Sequence, residues 1–422
     1  KKSKHAATGR SSQKRLKHIL QTKYKKPAMP RKSCTVMKKI TSFIILAIIL
    51  TQLFSQPAAG SSPLRIRGYI RAMPGVQLND GFSDPSFHSL MNNRLNFRWS
   101  ISSSAEIVTE GRNRLIYSKA WGDIPDISEF FTQDGYLADL SWLWLSDGRW
   151  IGHSEIDRLF IGWRTDSWRI RAGRQRVNWG INLVSNPNDL FNTYSFFDFD
   201  YEERPGADAV RAQYFFDGMS SLEIAVSPGR KSSESVAAAK LLHNWKAYDI
   251  QAVAGYYRDR LALGGGWAGH IKGAGFKGEA TWFYDMANEE GSRRDNLVAA
   301  AGFDYMFSSG TFGIIEFLYN GGHERVERAA MMITEPLRPD NIMFSKYAVT
   351  LSADRGFSPV FSGGVALMAL PDIDAAFLMP RINYSVHTDI DFELISQMFF
   401  GDDDSIFGQA GTAIFCSFKY SF

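Results

Sequence analysis

The chain has 422 residues, with 48 Lys and Arg against 44 Asp and Glu, and its formal net charge is +4. Residues 1–36 contain many Lys and Arg but no Asp or Glu, so the chain that follows them is acidic. An acidic chain disfavours nucleic acid as its partner. Its two cysteines, Cys34 and Cys416, allow no internal disulfide once Cys34 is removed with the export signal described next.

The first predicted element is a secretory signal peptide at 37–60. Met37 and two lysines precede the apolar run 40–54, and small residues follow it, so we expect cleavage near Gly60. The apolar run is too short to span a bilayer comfortably. We interpret residues 1–36 as a non-native upstream extension, because a complete signal peptide follows them. Residues 61–422 are the expected exported domain.

Short runs of alternating apolar and polar residues fill the exported domain, and this period of two is typical of strands that face lipid on one side. They predict an all-β fold, a transmembrane antiparallel β-barrel of about eighteen strands, with sixteen or twenty as alternatives. Residues 136–146 are a candidate extra strand. The predicted strands are 64–72, 90–100, 104–115, 154–164, 168–177, 207–216, 219–227, 235–243, 247–256, 261–270, 274–284, 297–307, 311–320, 343–353, 359–370, 377–386, 389–400 and 410–422.

The connections alternate between tight turns and longer loops. Such asymmetry is typical of short periplasmic turns and longer extracellular loops. An even strand number places both termini at the turn side. The predicted long loops are 73–89, 116–153, 178–206, 285–296, 321–342 and 401–409.

Arginines recur at the polar positions of several predicted strands. In the first strand, Leu64 and Ile66 face lipid, so Arg65 and Arg67 face the lumen. Arginine side chains that are confined in a lumen repel one another, so they need water or counter-charges around them. The predicted pore-lining residues are Arg65, Arg67, Arg71, Arg94, Arg98, Arg169, Arg171 and Arg211.

The loop 178–206 is rich in both aromatic and acidic residues, and such a loop would be a poor free surface. We expect it to fold into the barrel, so that its carboxylates face the arginines across a constriction. Opposite charges across a constriction orient polar solutes and select ions by sign. The predicted constriction-loop residues are Asp189, Asp198, Asp200, Glu202, Glu203, Arg204 and Asp208. The alternative is that these charges only brace the barrel.

Three short motifs lie together in this region: GRQRVNWG at 173–180, NPND at 186–189 and ERPG at 203–206. Together they resemble the signature of porin-like outer-membrane barrels related to the alginate-export family and its uncharacterised relatives. The resemblance implies a single barrel, commonly of eighteen strands, with an arginine-rich lumen. It also implies that the start of the loop and the constriction are formed by Arg174, Trp179, Asn186, Pro187, Arg204 and Pro205.

The last strand ends at Phe422 and alternates strictly. Ile414, Cys416, Phe418 and Tyr420 share the predicted lipid face. A terminal aromatic carboxylate at this spacing also resembles the signal that the bacterial barrel-assembly machinery recognises. The alternative, a half-buried strand of a soluble sandwich, is disfavoured by the rest of the chain.

Catalytic and metal chemistry find little support in the sequence. The histidines are scattered, and none lies in a short motif with a nucleophile and an orienting acid, so we expect no enzyme activity. The loop carboxylates are hard oxygen donors, but their spacing matches no known calcium loop, so we expect no metal and no cofactor.

These patterns predict a porin-like channel of the Gram-negative outer membrane. It would pass small hydrophilic solutes, anions or acidic sugars, by passive, charge-selective diffusion. Its expected surroundings are outer-membrane lipid and lipopolysaccharide. The alternative is a non-conducting barrel that acts as a surface assembly or interaction scaffold.

Overall fold

The computed structural model describes residues 63–79, 84–119, 137–192, 206–286, 295–323 and 337–422. The predicted upstream extension and signal peptide lie outside these ranges. The described residues form nineteen strands. They are β1 Leu64–Asn79, β2 Asp84–Ser100, β3 Ala105–Ser118, β4 Ser141–Asp147, β5 Trp150–Arg164, β6 Trp168–Gln175, β7 Ala207–Phe215, β8 Ser221–Ser227, β9 Val236–Trp245, β10 Tyr248–Tyr257, β11 Arg260–Ile271, β12 Ala274–Asp285, β13 Asn296–Met306, β14 Thr311–Asn320, β15 Tyr347–Ser358, β16 Phe361–Leu370, β17 Ala375–His387, β18 Ile390–Phe400 and β19 Thr412–Ser421.

Two short helices accompany the strands in the described residues, a 3₁₀ turn at Ser232–Glu234 and the helix α1 at Ile406–Ala410. Neither is long and apolar enough to cross a membrane.

Eighteen of the strands form one closed antiparallel barrel, as predicted. Each strand pairs with its neighbour in the chain, except that β3 pairs with β5, and β19 closes the cycle by pairing with β1. The additional strand, β4, pairs with β5 beside the end of β6, within the predicted candidate strand region. Closure gives each of the eighteen barrel strands a neighbour on both sides, as a strand exposed to lipid requires.

The two ends of the barrel differ. At one end, the turn end, β9 and β10 are joined by two residues, Lys246 and Ala247, both with positive φ as a tight hairpin requires. The C-terminus lies at the same end. The long connections lie at the opposite end, which we call the loop end. We use turn half and loop half for the adjoining halves of the barrel.

The outer surface is apolar, with aromatic side chains near both ends. Trp245 is 59% exposed near the turn end, and Trp142 is 51% exposed near the loop end. Aliphatic side chains such as Ile161 and Ile224 are exposed between these belts. This arrangement is characteristic of barrels whose outer face contacts lipid.

The first two strands are longer than predicted. The sequence places a loop at 73–89, whereas β1 continues to residue 79 and β2 starts at residue 84. Pro74 lies inside β1 and cannot donate a ladder hydrogen bond. The register between β1 and β19 omits residues 73–74, while the register between β1 and β2 is continuous. A proline that interrupts pairing on one side therefore does not end the strand.

The seam between β1 and β19 includes the last residue of the chain. The Gly68 N–H donates to the Phe422 carbonyl, the Phe422 N–H donates to the Gly68 carbonyl, and both distances are 2.9 Å. A Cβ atom at Gly68 would lie 2.3 Å from the Arg94 carbonyl oxygen and 2.8 Å from the Phe422 ring. The ring therefore occupies space that only glycine leaves open.

We predict that Gly68→Ala lowers the free energy of unfolding by about 1–3 kcal/mol, because the closing strands must shift apart. Urea titration of the refolded barrel, followed by the electrophoretic shift between folded and unfolded forms, measures this. The control is Gly218→Ala, since a Cβ atom at Gly218 has no neighbour within 4 Å. Equal midpoints for the two variants would contradict the prediction.

Candidate functional site

The predicted inward arginines lie on the inner face of the barrel wall. On β1, Leu64 points outward and is 43% exposed, so Arg65 and Arg67 point into the lumen, and both are exposed. On β6, the outward Trp168 likewise leaves Arg169 and Arg171 pointing inward. We call the inward arginines of β1, β2, β6 and β7 the arginine wall.

Strand register brings members of this wall side by side. Arg65 pairs with Arg98 across β1 and β2, and Arg171 pairs with Arg211 across β6 and β7. Directly opposed residues have Cβ atoms about 4.5–5.5 Å apart. Arg164 of β5 pairs with Arg169 and extends the row, although it is not among the predicted pore-lining residues. Arg164 directly follows Trp163, and the alternation of the outward residues Ile161 and Trp163 was a usable signal that Arg164 points inward.

The counter-charges of the wall come from neighbouring strands. Glu106 on β3 lies 3.7 Å from Arg98 and 3.9 Å from Arg171. The Arg98 side chain is 52% exposed, so this ion pair is screened by solvent and weak. Glu223 on β8 lies 2.6 Å from Arg211. Arg171 also lies over the Phe160 ring, at 4.9 Å from its centroid.

Arg94 differs from the exposed arginines because it is completely buried. Its guanidinium donates two hydrogen bonds to Asp157, at 2.6 and 3.1 Å, and one of 2.7 Å to Glu110. Asp157 is also completely buried. Replacing one partner of a fully desolvated ion pair is strongly destabilising, because the charge of the other partner is then uncompensated. Arg94 therefore braces β2 against β3 and β5.

Residues 176–192, which follow β6, form what we call the inner segment. Its backbone is held by two carboxylates of the opposite wall. The Ile181 N–H donates to Glu279 of β12 at 2.9 Å. The Val184 and Ser185 N–H groups donate to Glu316 of β14 at 3.1 and 2.6 Å. The carboxylate oxygens thus supply the acceptors that these partly or fully buried backbone donors require.

Trp179 anchors the first part of the inner segment and is 1% exposed. Its indole N–H donates to Glu223 at 2.6 Å, and its carbonyl accepts a 2.8 Å bond from the Gln251 amide. Its ring packs edge-on against Phe191, with centroids 5.0 Å apart. Further along, the Thr281 hydroxyl donates to the Pro187 carbonyl at 3.0 Å. The inner segment thus follows the inner face of β8–β14.

The structure describes two of the predicted constriction-loop carboxylates, Asp189 and Asp208. Asp189 is 1% exposed, and its Oδ1 atom accepts a 3.3 Å bond from the Trp179 N–H. Asp208 binds Arg174, with distances of 2.8 and 3.1 Å. Asp189 therefore joins two parts of the inner segment, and Asp208 joins the start of β7 to the end of β6. The remaining predicted residues lie outside the described ranges: Asp198, Asp200, Glu202, Glu203 and Arg204.

A second segment, residues 337–346, packs into the loop half. Asp340 forms a buried ion pair of 3.2 Å with Arg260. The Asn320 amide donates to the Met343 carbonyl at 2.6 Å. The residue pattern predicts a strand that starts at residue 343, whereas β15 starts at Tyr347. The apolar residues around Met343 are buried by side chains that are distant in the sequence. A local alternation of apolar and polar residues cannot reveal such contacts.

These segments complete an apolar core in the loop half. Met343 and Trp179 join inward side chains of the wall such as Phe283 and Phe377, all 3% exposed or less. Phe407 of α1 belongs to the same core. The interior of the loop half is therefore packed from several sides. By contrast, inward side chains such as Arg67 in the turn half are exposed.

The histidines remain dispersed among the described residues. His153 lies 3.1 Å from Arg114, and His243 lies 3.0 Å from the Ser220 hydroxyl. The part of the chain that the structure describes holds no group of three His, Cys, Asp or Glu side chains able to bind a metal.

No protein-family model matches the sequence, and no curated protein matches it either. The fold is similar to those of three solved proteins. The outer membrane protein OprD from Pseudomonas aeruginosa has 7% identity and a TM-score of 0.54, with 87% of this chain and 95% of that chain covered. OccAB1 from Acinetobacter baumannii has 7% identity and a TM-score of 0.54, with coverages of 87% and 99%. OccK7 (OpdD) from Pseudomonas aeruginosa has 12% identity and a TM-score of 0.52, with coverages of 86% and 99%. The chain therefore has the fold of a porin-like outer-membrane β-barrel.

We predict that Arg94→Met lowers the free energy of unfolding by about 3–5 kcal/mol, because it removes a positive charge and two hydrogen bonds from the buried Asp157 carboxylate. Arg98→Met is the matched control on the same strand, and its exposed ion pair should change stability by less than about 1 kcal/mol. Urea unfolding of both variants provides the comparison. Equal stability losses would contradict the distinction between a bracing and a lumen-facing arginine.

Proposed function

We propose that this protein is an outer-membrane channel for passive, charge-selective diffusion of small hydrophilic solutes, with preference for anions and acidic sugars. The observation that carries the proposal is the exposed part of the arginine wall, where Arg65, Arg67 and Arg169 face the lumen of the turn half. Cations concentrated on one wall attract anions and lower the electrostatic barrier to their passage.

The position of the inner segment supports a selective passage. Its contacts lie on β8–β14, so it covers the wall away from β1 and β2. A solute would pass between this segment and the arginine wall, which makes the inner segment the proposed constriction. We include Asp198, Asp200, Glu202 and Glu203 in that constriction, as the loop composition predicts.

We also propose a family relationship, an assembly route and membrane contacts for this protein. The motifs around Arg174 and Trp179 favour a relationship with the alginate-export barrels. The terminal Phe422 favours recognition by the barrel-assembly machinery. The aromatic belts favour contacts with outer-membrane lipid and lipopolysaccharide. No enzyme activity is needed to account for the arrangement of these residues.

We predict a stable conductance with anion preference when the purified protein is inserted into planar bilayers. Replacing Arg67, Arg98 and Arg171 together with Gln should move the anion-to-cation permeability ratio toward one, because the wall loses its fixed positive charge. Reversal potentials under a salt gradient measure this ratio. Arg230→Gln, an exposed position in the loop after β8, is the control and should leave the ratio unchanged.

A sealed barrel that serves as a surface scaffold is the second candidate. The packed apolar core of the loop half favours it, since Phe283, Met368 and Phe377 are all completely buried. A folded protein without conductance, demonstrated by protease resistance and gel mobility, would favour this candidate over the channel.

We predict that the double variant Glu279→Gln and Glu316→Gln conducts better than the unmodified protein. Each replacement exchanges one acceptor oxygen for an NH2 group and weakens the hydrogen bonds to Ile181, Val184 and Ser185 by about 1–3 kcal/mol in all, so the inner segment leaves the wall more often. Single-channel amplitude and its fluctuations measure the effect. The control is Asp304→Asn, which removes an inward carboxylate paired with Lys277 at 2.7 Å. Identical amplitudes in both variants would exclude the inner segment as the constriction.

A further inference from the structure

Glu106 of β3 lies between two members of the arginine wall in the turn half. It lies 3.7 Å from Arg98 on β2 and 3.9 Å from Arg171 on β6, although β5 also lies between those strands. Gly162 of β5 pairs with Glu106 and carries no side chain. A Cβ atom at Gly162 would lie 3.2 Å from the Glu106 side chain, which therefore extends across β5. One carboxylate thus brings two guanidinium groups together.

The guanidinium groups of Arg98 and Arg171 keep hydrogen-bond donors available for a ligand. Their distances to Glu106 exceed the ~2.7–3.2 Å of an N–H···O hydrogen bond. Within the described ranges, neither side chain donates a hydrogen bond. The Arg171 guanidinium carbon lies 4.9 Å from the centroid of the Phe160 ring. Stacking on a ring fixes the plane of a guanidinium and leaves its in-plane donors open.

Positive charge exceeds negative charge around Glu106. Arg65 is directly opposed to Arg98 across β1 and β2, and Arg169 precedes Arg171 by two residues on the same face of β6. Neither Arg65 nor Arg169 forms an ion pair within the part of the chain that the structure describes. Like charges on directly opposed residues are destabilising. Four arginines around one glutamate therefore favour the binding of a further anion.

This excess of positive charge is accessible to solutes and does not extend to β7. Arg211 adds nothing to it, because Glu223 binds Arg211 at 2.6 Å. Arg65 and Arg169 are exposed, and the Arg98 side chain is 52% exposed. A solute in the lumen of the turn half therefore reaches these guanidinium groups directly.

We propose that these four arginines bind the phosphate group of a small phosphorylated solute. A phosphate monoester carries about two negative charges at neutral pH, because its second pKa is about 6. Its oxygens accept paired hydrogen bonds from the Arg98 and Arg171 guanidinium groups, whose planar donors match phosphate geometry. At equal distance, Coulomb attraction to a dianion is about twice the attraction to a monoanion. A singly charged acidic sugar therefore compensates the four arginines less completely.

Binding at this cluster rests on the proposed function and narrows its solute class from small anions to phosphorylated molecules. Glu106 has two effects on this binding. Its carboxylate holds Arg98 and Arg171 near one another, and it repels an incoming phosphate. The repulsion limits affinity, which suits a channel that must release its solute.

The test compares glucose 6-phosphate with glucuronate, which share a pyranose ring and carry a dianionic or a monoanionic group at the same end of it. Titration calorimetry on the purified protein in detergent, at about pH 7.5, measures both affinities. We expect glucose 6-phosphate to bind at least about tenfold more tightly.

Two kinds of variant assign the effect to this cluster. Glu106→Gln should strengthen the binding of glucose 6-phosphate by about threefold or more, because the repelling charge is gone. A residue with only a structural role would not strengthen binding when replaced. Arg98→Gln and Arg171→Gln should each weaken binding by at least about fivefold, and either one serves if the other does not fold.

The control is Arg381→Gln, which removes an inward arginine of β17 that is paired with Asp354, and it should leave binding unchanged. Equal affinities for the two sugars would overturn the proposal in favour of a general anion surface. Absence of saturable glucose 6-phosphate binding to a folded protein would also overturn it. Anion-selective conductance of chloride in that same preparation would leave the proposed channel intact, so the two failures are distinguishable.

Discussion

Closure of the backbone hydrogen-bond ladder is the constraint on which the rest of this structure depends. A strand exposed to lipid has no water for its N–H and C=O groups, so every edge must find a partner. Here the last edge is closed by β1 and β19, and the two hydrogen bonds between Gly68 and Phe422 extend that seam to the final residue. Once the cylinder is closed, side-chain alternation separates a lipid face from a lumen face.

The lumen then becomes the place where charge must be accommodated, and the structure does this in two ways. Arg94 is neutralised by Asp157 and Glu110 in a buried cluster that holds strands together. Arg98 keeps a distant, solvent-screened partner in Glu106. Two arginines of β2 therefore have different roles: Arg94 stabilises the barrel, and Arg98 contributes positive charge to the lumen. Burial, rather than residue identity, distinguishes the two roles.

The loop half has a different organisation, in which polypeptide fills the interior. The inner segment contributes Trp179, and the segment 337–346 contributes Met343, to one apolar core. The polar backbone of the inner segment is satisfied by the wall carboxylates Glu279 and Glu316. An apolar core alone would leave those N–H groups unpaired, which is costly away from water. The wall thus supplies acceptors where the inner segment needs them.

The sequence by itself determined the barrel, its strand order and the inward direction of residues such as Arg67 and Arg171. These features depend on a local period of two and on short turns, which neighbouring residues encode directly. Only the tertiary structure decided that Arg94 is buried, that Asp189 binds the Trp179 backbone, and that β1 continues through Pro74. Each of these outcomes depends on partners that are distant in the chain. Closure of the sheet selects those partners, so no local pattern could reveal them.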